Sequence, residues 1–501
     1  DMILDKAKIA GFEYVYHSGP FLDWGHFNWD PKFTKNGDEG VKKMVDKAKA
    51  EGIAIGVHTL SNFMTTNDAY VTPVPSDHLL KQGVLSLTSD LDKDQTEMTI
   101  KKSDLFSMPM SLNAMQIDKE LITYGSMEDK GETFLLKNCK RGAYGTTAVA
   151  HSQKTPLYKL WDYPYKTLFP DLVLQDKFSD RLAEIMNKTG LCQISFDGLE
   201  GCSYTGQDEY ANNRFVYRWY NQLNHNVLND ASHNLWHIHT RMNWGEPWGE
   251  AMRTGQVENR IKNQAFFKRN LFPRMLGWFL IRLADRNFEC SSLEDLEWAL
   301  SESAGFDAGY AMTINSNTLR RHGQIDKLLG AIKDWDKLRE AEAFTEEQKA
   351  RLRDPQTEWH LEKTDEQNYN LYPLHISKHY RCNLAEMQPG QPGGADWSWE
   401  SPYESVYAIR LKVDGDGTIK DPSFTTPKGV IKFPCEISDR QYLLYTFDGK
   451  AVVTDKNYNV ISEVQPQGNA VLPAGSSAVA FSCEQISEDA PEVIIRYITK
   501  G

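Results

Sequence analysis

The chain has 501 residues, 40% of them hydrophobic and 25% charged, a balance that excludes a disordered or low-complexity protein and leaves room for two or three domains with a large core. Its formal net charge of −13 argues against a nucleic-acid backbone as partner, and no run approaches the ~20 apolar residues of a membrane span. Seven cysteines are scattered without a C-x-x-C pair, so neither a disulfide framework nor a zinc site is implied.

Residues 2–10 read as a helix, which would place the start of the chain inside a βα unit. A first barrel strand is therefore expected upstream, with room for a further domain. The strand Phe12 to His17 leads into a loop, residues 18–33, that carries Asp23, Trp24, His26, Trp29 and Phe33. Large rings in a solvated loop form either a binding wall or a lid packed on its own barrel. Aromatic content of 11%, with 13 Trp and 22 Tyr, leaves the same choice open for the whole chain, because rings fill cores and also stack on the C–H faces of sugars.

Apolar residues at Val41, Met44, Val45 and Ala48 predict a helix with one buried face. It closes on Gly52, and the next strand, Ile53 to His58, ends in a histidine suited either to orienting a substrate hydroxyl or to a structural hydrogen bond. From about residue 65 to 170 the βα rhythm gives way to alternating segments such as 97–101 and 133–137, the pattern of hairpins in a long insertion. A helix around 176–186 then closes on Gly190 and feeds a short apolar run, Cys192 to Phe196, that stops at Asp197-Gly198-Leu199-Glu200. A buried parallel strand delivers a carboxylate to a cleft in this way, because ligands of α/β proteins bind outside the carboxyl ends of the strands.

A helix is predicted over 210–228 and a strand over 235–241, with His237 and His239 on one face and Arg241 at its end. The loop beyond holds Trp244, Glu246, Trp248 and Glu250. After a helix over 256–269, the apolar run 275–282 predicts another buried strand, followed by Asp285. Ser291 and Glu294 match a capping box, opening a helix that closes on Gly305 before a strand from Phe306. A further helix covers 319–343. Helix, glycine and strand thus recur four times, at Gly11, Gly52, Gly190 and Gly305, and strands alternating with amphipathic helices imply parallel βαβ units. Beyond about residue 345, short β-like runs at 407–413, 442–447, 477–481 and 493–498 separated by Gly, Pro and Asp predict an all-β sandwich.

An acid after the central strand, aromatic loops and a trailing β-rich region together resemble the (β/α)8 glycoside hydrolases of the α-galactosidase (melibiase) superfamily. The resemblance implies a TIM barrel over 1–345 with a β-rich insertion at about 65–170, a C-terminal β-sandwich over 346–501, and a periplasmic or extracellular protein. In that family a nucleophilic Asp ends the fourth strand and an acid/base Asp follows the sixth. With one strand upstream, Asp197 and Asp285 take those places, although Ser195 stands where the family has Lys.

Glycoside hydrolysis needs two carboxyl groups flanking the scissile bond, one of them protonated. Asp197 is the expected nucleophile or base, and Asp285, Glu200 and Glu246 are the candidate partners. His17, Asp23, Trp24, His58, His239, Arg241, Trp244 and Arg282 are the expected substrate-binding residues for a carbohydrate. No cofactor is called for, and a metal at His237 and His239 lacks a third ligand. Two alternatives stay open: a polysaccharide lyase, in which Arg241 or Arg282 neutralises a uronate and a histidine or tyrosine abstracts a proton, and a non-catalytic glycan-binding protein.

Overall fold

The computed structural model describes residues 1–108, 110–163, 165–231, 264–271, 274–387, 393–469 and 471–501. The chain divides into two compact units, residues 13–244 with 269–273, and residues 1–12 with 245–268 and 274–501.

The first unit is built on a four-stranded parallel sheet in sequence order: β1 (Tyr14–His17), β2 (Ala54–Leu60), β3 (Gln193–Asp197) and β4 (Leu228–Ala231). Helix α2 (Gly37–Ala50) buries Val41, Val45 and Ala48. Helix α3 (Leu172–Thr189) starts where the Asp171 carboxylate accepts from the amides of Val173 and Leu174, and it stops at left-handed Gly190. The next helix, α4 (Asp208–Tyr220), is clamped to α3 by a two-pronged ion pair from Arg214 to Asp176. Phe178, Leu182, Ile194, Phe196, Phe215 and Trp219 form the buried core that joins helices to sheet. Completely buried rings of this size supply most of the driving force.

Between β2 and α3 lies the long excursion that the sequence predicts. It holds a four-stranded antiparallel sheet (Lys81–Ser86, Pro156–Leu160, Ala114–Ile117, Glu120–Thr123) and a three-stranded one (Met98–Lys101, Thr133–Lys137, Ser126–Asp129). One face of these sheets packs a core of its own, including Ile100, Met115, Ile122 and Leu136, while Ala114, Leu121 and Leu160 of the four-stranded sheet join the core of the parallel sheet. The Glu120 carboxylate, fully buried, is satisfied by Arg141, His151 and the amides of Gly142 and Val149.

In the second unit, α1 (Met2–Ala10) packs with α6 (Ile325–Glu340), and β5 (Met275–Leu280) pairs in parallel with β6 (Gly309–Thr313) across α5 (Leu293–Phe306). An eight-stranded and a six-stranded sheet, antiparallel in their described pairings, follow from Glu358 onward, and both contribute to one core that includes Leu411, Val413, Ile495, Phe424 and Phe481. Six parallel strands in two sheets are thus described, four and two.

Several local expectations shift. The helix predicted over 210–228 ends at Tyr220 because the chain turns into β4, a strand too short and polar to show a period in the sequence. The capping box is Ser292 with Asp295, one residue beyond the predicted pair. Gly11, Gly52 and Gly190 are left-handed, whereas Gly305 lies inside α5 and Asp307 takes the left-handed position. Gly305 is small for another reason: a Cβ there would lie 2.9 Å from the Arg353 amide. The helix over 319–343 is two helices, Ser316–Arg321 and α6. The predicted strand 235–241 lies outside the described residues.

Candidate active site

Successive side chains of a strand point to opposite faces, so the register of β1–β4 decides which residues meet. Val57 and Ile194 share one face with Phe196 and Ala231, and the Phe196 ring lies edge-on to Phe215 and Trp219 of α4, with centroids 6.0 and 4.8 Å away. That face belongs to the helices. The other carries polar groups: Tyr16, Gly56 and Gln193 in one row, His58, Ser195 and Asp230 in the next, and Asp197 beyond them at the carboxyl end. Gly56 makes room for this row, since a Cβ there would lie 1.9 Å from Gln193 Oε1.

Asp197 is the centre of the group and is only 2% exposed. Its Oδ1 accepts from the Gly198 amide at 2.9 Å. Its Oδ2 is buried, has no hydrogen-bond partner among the described residues, and lies 4.0 Å from His58 Nε2. Burial and the charge of Glu200 push the carboxyl up to about 7, with a smaller push from Asp230, and the Gly198 bond opposes them. His58, with Nδ1 3.4 Å from Ser195 Oγ, is lowered by burial to about 4 and is neutral at pH 7. The contact between His58 and Asp197 is therefore not an ion pair at that pH. Tyr16 is raised well above its ordinary value by burial, then by Asp230 and Asp197, so its phenol keeps its proton.

An aromatic cluster adjoins the strand ends. Leu60, the β2 residue opposite Asp197, packs with Phe63, Leu80 and Phe169, and Trp24, Trp161 and Tyr204 lean on them half-buried. Trp161 and Tyr204 stack with centroids 5.2 Å apart and planes at 27°.

The structure brings Asp197, Glu200 and His58 together, and Trp24 joins the aromatic cluster beside them. Asp23 is used within its own loop, accepting from the amide and side-chain nitrogen of Asn28. His17 falls on the helix-facing side with Val57, accepts from the Gly19 amide and packs on Phe33. Most rings of the 18–33 loop pack on one another or on α3, as Phe27 does on Phe178. Asp285 belongs to the other compact unit. It is exposed and accepts from the amides of Asn287 and Phe288, bonds that hold its carboxyl below the usual range, opposite to the shift a proton donor needs. Arg282, also in that unit, lies over the Phe288 ring at 4.1 Å. Glu246, His239, Arg241 and Trp244, with His237 and Glu250, lie outside the described residues. Among the described residues no group of three or more His, Cys, Asp or Glu is arranged to hold a metal ion, and no helix is long and apolar enough to cross a membrane.

Asp230, Tyr16, Ser195 and Gln193 join the group without a sequence motif that marks them. Tyr16 and Ser195 alternate with apolar neighbours, and that signal marks a two-faced strand. Asp230 carries no such signal, because Leu228-Asn229-Asp230-Ala231 is too short and polar to show a period.

No protein-family model and no curated protein matches the sequence. Among solved structures the chain is similar to the α-galactosidase of Thermus thermophilus in complex with stachyose, at 9% identity and a TM-score of 0.37, covering 66% of this chain and 60% of that one. It is similar to an α-galactosidase of Geobacillus stearothermophilus in complex with raffinose, at 9% identity and a TM-score of 0.40, covering 97% and 53%. A third is the cyclic α-maltosyl-(1→6)-maltose hydrolase of Arthrobacter globiformis, at 10% identity and a TM-score of 0.39, covering 77% and 83%. The chain thus spans 60% and 53% of the length of the two α-galactosidases. These three solved structures are glycoside hydrolases.

Proposed function

We propose that the protein is a glycoside hydrolase acting on a poly- or oligosaccharide, with Asp197 as the group that carries the proton and Asp230 as its partner carboxyl group. The observation that supports this most is the Asp197 carboxyl, buried at the end of a central parallel strand, raised to about 7 and holding one oxygen without a protein hydrogen-bond partner among the described residues. A carboxyl poised near neutrality is what general acid–base catalysis requires. Protonated, Asp197 donates to the glycosidic oxygen as the bond to the anomeric carbon breaks. Asp230 then takes a proton from the attacking water or stabilises the positive charge that develops on the sugar ring.

Asp230 is preferred over Glu200 because it shares the polar sheet face with Asp197, one strand over and two residues back. Strand geometry separates their Cα atoms by about 8 Å, and glycosidases keep their two carboxyl groups ~5–9.5 Å apart. Glu200 then acts by its charge, holding the Asp197 proton on. His58 and Tyr16, both uncharged at neutral pH, offer hydrogen bonds to sugar hydroxyls, and the Trp24, Trp161 and Tyr204 cluster offers ring faces.

The test is mass spectrometry of products from a panel of neutral and uronate-containing glycans, with wild type, Asp197→Asn and Asp230→Asn. Fragments whose masses sum to substrate plus one water, falling by roughly 10²–10⁴-fold in each variant, are expected. Fragments that sum to substrate alone mean elimination, with His58 as the available neutral base, and sink the hydrolase assignment. Glycan binding without turnover, unchanged in Asp197→Asn, replaces it with a binding protein.

A further inference from the structure

Tyr165 stands at the tip of the short hairpin of Asp162–Tyr163 and Thr167–Leu168, which ends the long excursion. It is 59% exposed, and both it and Lys166 have positive φ, of 65° and 54°. That left-handed backbone disfavours any residue with a Cβ, and hairpin tips that need it are normally given to asparagine, aspartate or glycine. A large ring is held there against local preference, with little burial to offset the strain.

The hairpin is fixed on both sides. Met64 and Leu168 exchange backbone hydrogen bonds at 2.9 Å, and the buried Asp162 carboxylate accepts from the amides of Leu112 and Ala114. The Tyr165 ring meets the fully buried Phe63 ring at 68°, with centroids 5.9 Å apart. Phe63 is also the ring that a Cβ on Gly198 would approach to 2.7 Å. A single buried phenyl ring therefore separates the exposed tyrosine from the turn whose amide holds Asp197 Oδ1.

We infer, on the hydrolase reading of Asp197, that Tyr165 is a stacking platform for a sugar one unit removed from the bond that is cleaved, which makes the substrate an oligosaccharide of three or more sugars and not a disaccharide. An acid/base carboxyl acts at the bond between two sugars, and a platform displaced by the breadth of a ring takes the next sugar along. The phenol presents a flat face to the C–H side of a pyranose. Its anchored hairpin means that little ordering accompanies binding.

Isothermal titration calorimetry compares Asp197→Asn with Asp197→Asn carrying Tyr165→Gly, using gluco-, galacto-, manno- and xylo-oligosaccharides from disaccharide to hexasaccharide. In at least one series affinity should rise by about three- to tenfold once the chain passes the disaccharide, the size of an aromatic stacking contribution. Tyr165→Gly should erase that rise and leave the disaccharide unchanged, whereas Tyr165→Phe should keep it. Glycine accepts positive φ, so the Tyr165→Gly variant is expected to melt close to wild type. Hydrolysis of the same series by the protein with Asp197 intact separates the two assignments. Length-dependent binding abolished by Tyr165→Gly, with no product released, supports the platform and removes the hydrolase. Hydrolysis with kcat/KM indifferent to chain length and to Tyr165 keeps the hydrolase and overturns the platform. Equal loss for short and long chains, a rise that survives in Tyr165→Gly, or no binding in any series also overturns it.

Discussion

Asp197 holds its proton up to about 7 in the fold, whereas an aspartate in an open chain loses it near 3.8. Because the folded value lies above the unfolded one, the group's contribution to stability is whole below pH ~4 and is lost as pH rises through 7, by roughly 4 kcal/mol at most. Asp197→Asn should therefore melt higher than wild type at pH 8, with the difference vanishing toward pH 4; thermal unfolding across that range checks it, and equal melting at pH 8 contradicts the burial argument. His58 works in the other direction. Its folded value of about 4 lies below 6.5, so its contribution is present above pH 6.5 and lost as pH falls through 4. Between about pH 4 and 6.5 the two contributions run in opposite directions and largely offset each other. The charge of Glu200 raises Asp197, so Glu200→Gln should keep activity while the Asp197 limb of the kcat/KM profile moves to lower pH. A limb that stays in place, or activity lost altogether, assigns Glu200 a different role.

The turn after β3 ties backbone to chemistry. Gly198 has φ of +75°, and a Cβ there would lie 2.7 Å from the Phe63 ring, while its amide holds Asp197 Oδ1. Gly198→Ala should cost roughly 2 kcal/mol or more, from left-handed strain and overpacking together. It should also lower kcat by more than its melting shift explains, because the amide that orients the carboxylate moves. Chemical denaturation alongside kinetics separates the two effects. Elements like β3 were legible in sequence because an apolar run bounded by Gly190 and Asp197 has few other interpretations. Strand β4 was not, since two of its four residues are polar and its burial comes from neighbours distant in sequence. Asp285 drew attention for a reason external to its surroundings, the count of strands, and its exposed turn could not be read from composition. Asp23 and His17 looked like ligands because polar residues at strand ends and in aromatic loops carry the same letters whether they face a substrate or their own backbone.

At the scale of the molecule, the core around Phe178, Phe196 and Trp219 shares no residue with the one around Leu411, Phe424 and Tyr497. Separate cores in separate compact units predict more than one calorimetric transition. Leu411→Ala should lower one of them, losing ~2–5 kcal/mol, and leave the other where it was; a single transition that shifts as a whole contradicts this. The β-rich character of both the 65–170 excursion and the C-terminal part was visible in sequence because period-two alternation survives without knowledge of partners. Which sheets share a core was not, because strand order is set by residues hundreds of positions apart. A slip of β3 by one position would turn Phe196 toward the polar row and press Asp197 into the layer of Phe215 and Trp219, where an ionised carboxylate costs several kcal/mol. Misregistered chains would thus be penalised by the same Asp197 to which the proposed mechanism gives the proton, so faithful folding and the proposed chemistry would both constrain one position.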